Sequence, residues 1–195
     1  MRKVFLLMGA AIVALTILTN TSCNETAARS EVKDSAQLVK RGEYLVTAMA
    51  CDDCHSPKKM GPRGPELDMD RRFSGYPAGR PLPSFDTNTT KQWALLNMDG
   101  AVVGPWGVSF AANITSDATG IGNWKEEQFI RCLREGKWMG LPDARPLLPP
   151  MPWESIGKLT DEDLSAIYHF LKTTKPVNNT VPAWIPAGAR PAAGK

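Results

Sequence analysis

Residues 51–55 read Cys51-Asp52-Asp53-Cys54-His55, a C-x-x-C-H pentad whose spacing dictates a chemistry. Two thiols three positions apart stand on nearly the same face of one helical turn, where both can add to the vinyl groups of a single porphyrin. His55 follows at once, which brings its imidazole under the iron as proximal ligand. The pentad therefore reads as the attachment site of one c-type haem. Two other readings use the same letters. A zinc site asks for four ligands, and after the pentad the chain offers Cys132 and His169. A thioredoxin-like pair follows a strand in an α/β pattern, whereas the flanks here read helical.

A haem iron held by His55 leaves its sixth position to a methionine, to His169, to water or to a less usual group. His169 lies about 140° round its helix from Leu164 at about 100° per residue, so it is expected to face away from the core. Beyond residue 22 there are six methionines: Met49, Met60, Met69, Met98, Met139 and Met151. Met49 falls on the core face of its helix. Met151 lies in Leu148-Pro149-Pro150-Met151-Pro152-Trp153, where prolines reduce loop entropy and bring no competing N–H groups. A thioether so held can be pressed onto iron at little ordering cost, which makes Met151 the candidate sixth ligand. A neutral thioether favours reduced iron and leaves no site for oxygen or peroxide. Both consequences suit an electron carrier better than an enzyme.

The pentad needs elements to position it. A first helix is expected from about Ala36 to Ala50, capped by Ser35, with Leu38, Gly42, Leu45, Val46 and Met49 at helical spacing. Gly42 costs such a helix about 1 kcal/mol against Ala, which close crossing by another helix would explain. Residues 57–92, rich in Pro, Gly and charge, read as loop. Asn97-Met98-Asp99-Gly100 carries an Asp-Gly turn signal, so a short hairpin is expected between Trp93 and Gly104. A second helix is expected from Trp124 to Glu135, with Asn123 as cap and Gly136 as stop. The third starts after Thr160, where Thr160-Asp161-Glu162-Asp163 resembles a capping box with Asp in place of Glu. Its buried face is Leu164, Ile167, Tyr168 and Leu171. Cys132, inside the second helix, reads as a buried free thiol. No repeat and no second C-x-x-C-H occurs.

Arg2 and Lys3, an apolar run from Val4 to about Leu18, and a small-residue boundary at Thr21-Ser22-Cys23 make residues 1–22 an export signal, too short for a comfortable span. Cys23 after Ser22 reads as a lipoprotein box with Cys23 lipidated. Ordinary cleavage near Ser22 is the alternative, and would leave Cys23 able to pair with Cys132. Residues 1–22 hold two basic residues and no acidic one, so the remainder carries 21 basic against 20 acidic residues. That balance argues against a nucleic-acid partner. Residues 23–36 read as a polar tether, 37–175 as one domain, and 176–195 as a Pro/Ala-rich tail that wraps the surface or stays disordered.

Over roughly residues 37–180 the chain resembles the class I cytochromes c. Arg41-Gly42-Glu43-Tyr44-Leu45 ahead of the pentad resembles the family's first helix, whose glycine crosses the last helix beside an aromatic; Tyr168 is the candidate aromatic. Gly64-Pro65-Glu66-Leu67 resembles the family's Gly-Pro-x-Leu, which implies that the Pro65 carbonyl accepts a hydrogen bond from the proximal histidine. The stretches Asn113-Ile114-Thr115-Ser116-Asp117 through Trp124, and Met151-Pro152-Trp153 with Leu159 to Leu164, are similar to segments of cytochrome c subunits of exported dehydrogenases. That likeness implies haem contacts from Asn113 and Trp124, and Leu67 is a candidate pocket wall.

The resulting expectation is a mainly α chain with the class I cytochrome c fold, about three to five helices around one covalent haem c, and a short β-hairpin insertion. Its expected function is one-electron transfer between redox-protein donor and acceptor, exported, periplasmic and anchored to a membrane through Cys23. The rival readings are an electron-accepting subunit of a dehydrogenase, and a haem peroxidase or sensor with an open sixth site.

Overall fold

Helices form where the sequence carries a 3.6-residue apolar period, and the two best-patterned ones cross. The computed structural model describes residues 35–189. The export signal, most of the tether and Cys23 lie outside the described residues, as do residues 190–195. The chain divides into two units, Met1–Leu38 and Val39–Lys195; of the first the structure describes the opening turn of a helix. That helix, α1, runs over residues 35–48 and buries Leu45 and Val46. Ser35, expected as the cap, is itself helical.

The last helix, α5 (Asp161–Lys172), is capped by Thr160, whose Oγ1 accepts from the Asp163 N–H at 3.1 Å. Leu164, Ala166, Ile167, Tyr168, Phe170 and Leu171 form its buried face. At the crossing, a Cβ placed on Gly42 would lie 1.9 Å from the Ala166 carbonyl oxygen and 2.7 Å from Phe170 Cβ. The aromatic beside the crossing is therefore Phe170 and not Tyr168. Tyr168 turns the other way, its ring 5.6 Å from that of Phe129 and its hydroxyl donating to the Trp124 carbonyl at 2.8 Å. Arg41 clamps the same crossing through a two-bond contact with Asp163, at 2.8 and 3.1 Å. Among the described residues no helix is long and apolar enough to cross a membrane.

The middle helices are shorter than their patterns suggest. A pentad helix, α2, spans Cys51–His55. Helix α3 spans Glu126–Arg134 and buries Phe129, Cys132 and Leu133. It starts two residues later than expected because Trp124 closes a turn onto Ile121 at 3.0 Å, within a loop where Gly120 and Gly122 both donate to the Asp117 carbonyl. Helix α4 is one turn, Trp153–Ile156.

The strands were less legible. Within the stretch read as loop, β1 (Lys58–Gly61) and β2 (Gly64–Leu67) form a hairpin. A second, antiparallel sheet has order β3-β4-β5-β6, from Leu95–Leu96, Ala101–Gly104, Gly107–Phe110 and Ile185–Pro186. Its first turn is the Asp-Gly one: Asn97 Oδ1 accepts from the N–H groups of Asp99 and Ala101 at 3.0 and 2.8 Å, and Gly100 supplies φ 90°. Phe73 and Tyr76, the largest fully buried side chains, also come from the stretch read as loop. Phe73 meets Phe170 edge-on with centroids 6.2 Å apart, and Tyr76 meets Phe110 at 4.9 Å.

The described part of the tail is built into the domain. Strand β6 extends the sheet, and Trp184 Nε1 donates to the Trp106 carbonyl at 3.0 Å. Asn179, 3% exposed, donates from Nδ2 to the carbonyls of Ser74 and Tyr76 at 2.7 and 2.9 Å and accepts from Ala78 N–H at 2.8 Å. Replacing Asn179 with Ala strands these buried backbone groups, each worth about 1–3 kcal/mol when left unmet. The expected loss, read by denaturant unfolding, is about 2–4 kcal/mol. A loss below about 0.5 kcal/mol, the size of an ordinary surface change, would mean the tail is not a structural strap.

Candidate functional site

The chain enters the pentad through Ala50, which takes left-handed φ 55°, ψ 38°, and leaves it at an extended Ser56. Between these breaks Cys51 and Cys54 stand one helical turn apart, both half-buried and both free thiols. Burial, helped by the Asp52 carboxylate, pushes the Cys51 thiol up to about 11; burial raises Cys54 as well. His55 follows with Nδ1 2.8 Å from the Ala112 carbonyl oxygen. A carbonyl only accepts, so Nδ1 carries the hydrogen and Nε2 is left with a free lone pair. Burial holds the imidazole below its ordinary pKa, against the opposing pull of that carbonyl. The ring is thus neutral, oriented and ready to ligate.

Much of the scaffolding is backbone. The Gly75 N–H donates to the His55 carbonyl at 2.8 Å, and Tyr76 N–H to Ala111 at 3.0 Å. A Cβ on Gly75 would sit 2.4 Å from the Ala111 oxygen, and one on Gly100 would sit 2.3 Å from the Cys54 oxygen. Two glycines let two loops close directly on the pentad and on the segment that holds its histidine. Side chains complete the clamp. Asp52 accepts from Ser56 Oγ at 2.6 Å and from Arg72 Nε and Nη2 at 2.8–3.2 Å. Ser56 Oγ in turn accepts from Phe73 N–H at 2.8 Å. The Lys58 ammonium covers the end of the short helix, donating to the carbonyls of Asp52 and Ser56 at 3.1 Å and to that of Asp53. It meets the exposed C-terminal carbonyls of α2 as a cation should.

The other expected site residues distribute unevenly. Pro65 is exposed in β2 opposite Met60, and the acceptor for His55 is the Ala112 carbonyl instead; the proline role is corrected accordingly. Leu67, opposite Lys58, is half-buried. Asn113 is buried in a polar knot: Nδ2 donates to Thr119 Oγ1, Val177 and Asn179 carbonyls at 3.0, 2.8 and 3.3 Å, and Oδ1 accepts from the Thr115 N–H and hydroxyl at 3.0 and 2.8 Å. With both ends of its amide committed, Asn113 supports the segment after Ala112 instead of offering a free polar group to a cofactor. Trp124 is half-buried and accepts from Tyr168 through its carbonyl. Met151 is half-buried, its loop closed by its N–H on Leu148 and by its carbonyl on Trp153 N–H, at 3.2 and 2.9 Å. Ser109 Oγ donates to the Pro149 carbonyl at 2.7 Å, which ties this loop to the strand that runs on to Ala112. His169 pairs with Glu126 at 3.3 Å on the surface.

Sequence reasoning missed Ala112, Ser56, Lys58 and Arg72. Ala112 acts through a carbonyl that any residue would supply; only the neighbouring Gly75 marks the close approach. For the donor set, the fit to a haem rests on two free thiols on one helical turn and one neutral imidazole with an open nitrogen. A zinc site is less well served, because among the described residues no group of three or more His, Cys, Asp and Glu converges on one position.

No protein-family model matches the chain. Curated proteins do. The chain is 30% identical over 146 residues to the fructose dehydrogenase cytochrome subunit of Gluconobacter japonicus, covering 74% of this chain and 23% of the relative. It is 31% identical over 153 residues to the gluconate 2-dehydrogenase cytochrome c subunit of Pantoea cypripedii, 77% and 26%. It is 29% identical over 153 residues to the cytochrome c subunit of the quinone-dependent alcohol dehydrogenase of Gluconobacter oxydans, 77% and 24%. The chain thus spans about a quarter of the length of these curated relatives. The site and these likenesses agree on the class: the chain has a cytochrome c-like relationship, which implies a haem cofactor. Within that class the relationship is to cytochrome subunits of bacterial dehydrogenases.

Proposed function

We propose that this chain is a mono-haem cytochrome c of the class I type that passes single electrons between redox proteins, with His55 and Met151 as the iron ligands. The observation that carries the reading is His55, whose Nδ1 is taken by the Ala112 carbonyl so that Nε2 keeps its lone pair, directly after a helical turn that carries two free thiols. When bound, the haem supplies a one-electron iron couple and a conjugated edge. The residues of the chain attach and orient it. Cys51 and Cys54 would hold the porphyrin through thioethers, and His55 Nε2 would ligate the iron.

The choice of Met151 rests on exposure and place. Met60, Met69, Met98 and Met139 are exposed, and Met49 sits two residues before Cys51, on the attachment side. Met151 remains, half-buried in a loop pinned to the strand that leads to Ala112. The names of the relatives favour a narrower reading as well, that the electrons come from a dehydrogenase and this chain is its electron-accepting partner. Export and a lipid anchor at Cys23 belong to the same proposal.

The test is the mature protein purified from its host envelope, by intact mass and by absorption in both oxidation states. One covalent haem and a low-spin spectrum with the weak far-red band of a sulfur–iron bond support the reading. A high-spin ferric spectrum with rapid cyanide binding would put the peroxidase or sensor reading in its place. Absence of haem from the mature chain would end both.

A further inference from the structure

We propose that Arg145 is a haem-binding residue whose guanidinium pairs with one of the carboxylates of the bound haem; the inference rests on the haem reading above. The starting point is a cation that lacks its counter-charge. Arg41, Arg72, Arg80 and Arg134 each meet an aspartate. Arg71, Arg131 and Arg145 are half-buried and, among the described residues, meet no carboxylate; of these three Arg145 is the one set against aromatic rings. Its guanidinium lies 4.2 Å from the centre of the Trp138 ring and 6.0 Å from that of Trp184. Its one hydrogen bond is a local one, from Nη1 to the Pro146 carbonyl at 2.9 Å. Burial lowers its pKa with nothing opposing. Aromatic faces attract a cation but do not neutralise it, and a partly desolvated guanidinium fork is shaped to receive a carboxylate.

Its mounting ties it to the candidate iron ligand. Trp138 N–H donates to the Arg145 carbonyl at 2.9 Å, and Leu147 N–H to that of Gly136 at 2.6 Å, so residues 136–138 and 145–147 form a small clasp. The clasp rests on Trp153, two residues beyond Met151: a Cβ on Gly136 would lie 2.4 Å from the Trp153 ring. The second ring, Trp184, bonds to Trp106, and Trp106 Nε1 donates to Ser109 Oγ at 3.1 Å. Ser109 is the residue that holds the Pro149 carbonyl. One network therefore joins Arg145, the Met151 loop and the strand leading to Ala112. A haem held by His55 and Met151 would bring two carboxylates, which supply the class of anion this cation lacks.

The test is the midpoint potential of the purified holoprotein as a function of pH, for the parent, Arg145→Gln and Arg145→Lys. Losing a positive charge beside the haem favours the ferric state, so Arg145→Gln should shift the redox equilibrium about threefold toward oxidation, about 28 mV at 59 mV per decade for one electron. The released carboxylate should also titrate nearer neutrality, so that the potential of Arg145→Gln climbs as pH falls through about 5–7 while that of the parent stays flat. Arg145→Lys should restore most of both. If Arg145→Gln keeps the parent potential at every pH and loses only thermal stability, the residue packs between tryptophans and the inference is wrong. It is equally wrong if the potential is unchanged and only transfer to a redox protein slows, since the anion then belongs to the partner. A chain that carries no haem fails the earlier reading instead, and the spectrum distinguishes the two.

Discussion

Gly42→Val should melt about 6–12 °C below the parent protein, the equivalent of about 3 kcal/mol in a domain of this size. The glycine lies on α1 where it crosses α5, and the obstacle is backbone: an added Cβ would fall 1.9 Å from the Ala166 oxygen and 2.6 Å from its carbonyl carbon. A side chain in the way can rotate, but a helical carbonyl cannot. Overpacking in an interior ordinarily costs about 1–3 kcal/mol, and two further methyls on a forced Cβ place valine at the top of that range or above it. Against a total stability of about 5–15 kcal/mol, the loss is large. Gly42→Ala gives the graded control: helix propensity returns about 1 kcal/mol, but the contact with Ala166 remains, so it too should melt below the parent. Far-UV circular dichroism on heating reads both. A valine variant within about 1 °C of the parent would show that α1 and α5 do not cross as described. The consequence reaches the site, because α1 runs through Met49 and Ala50 directly into Cys51.

That crossing was legible in the sequence because helices announce themselves by period. Leu45 and Val46 on α1, the Thr160 cap and the buried face of α5 could all be read from spacing, and Gly42 stood out as a costly residue needing a reason. The Asn97–Gly100 turn was legible for the same kind of reason, since Asp-Gly before an apolar run leaves few alternatives. Phe73 and Tyr76 were not legible: each is buried by a loop with no repeat, and proline, glycine and charge around them point to solvent. Nor was the tail, where Asn179 and Trp184 anchor a stretch whose composition alone suggests a loose end.

The site divides along the same line. Cys51, Cys54 and His55 are chemistry written in residue types, and spacing alone singled them out as the candidate site. What orients them is mainly backbone: the Ala112 carbonyl on His55, the Gly75 N–H on the His55 carbonyl, the close passage of Gly100 over Cys54. A carbonyl oxygen carries no letter, so the expected proline acceptor fell to an alanine without loss of function in the hydrogen bond. The Asp52–Arg72 pair has letters but joins residues 20 apart with no period to link them.

Met151→Ala should convert a closed iron into an open one. With the thioether gone, the far-red ferric band of the sulfur–iron bond is expected to vanish, and the ferric spectrum to move toward high spin as water enters. Cyanide and carbon monoxide should then bind rapidly where the parent binds slowly or not at all. The potential should fall as well, because a thioether stabilises ferrous iron more than water does. A drop on the order of 0.1 V is expected, within the roughly 0.8 V that axial ligands span. Folding is not the confounder here, since Met151 is only half-buried and its loop is held by backbone bonds with Leu148 and Trp153 and by the Ser109 hydroxyl on the Pro149 carbonyl, all of which alanine keeps. Met49→Ala is the paired control: it removes the other half-buried methionine, on the attachment side, and should leave band and potential in place. If Met151→Ala retains the parent band and potential, the ligand assignment is wrong, and loss of the band in Met49→Ala would move it there. If both variants keep the band, an exposed methionine must swing inward to reach the iron, and the 93–98 and 138–141 segments, which carry Met98 and Met139, become the place to look.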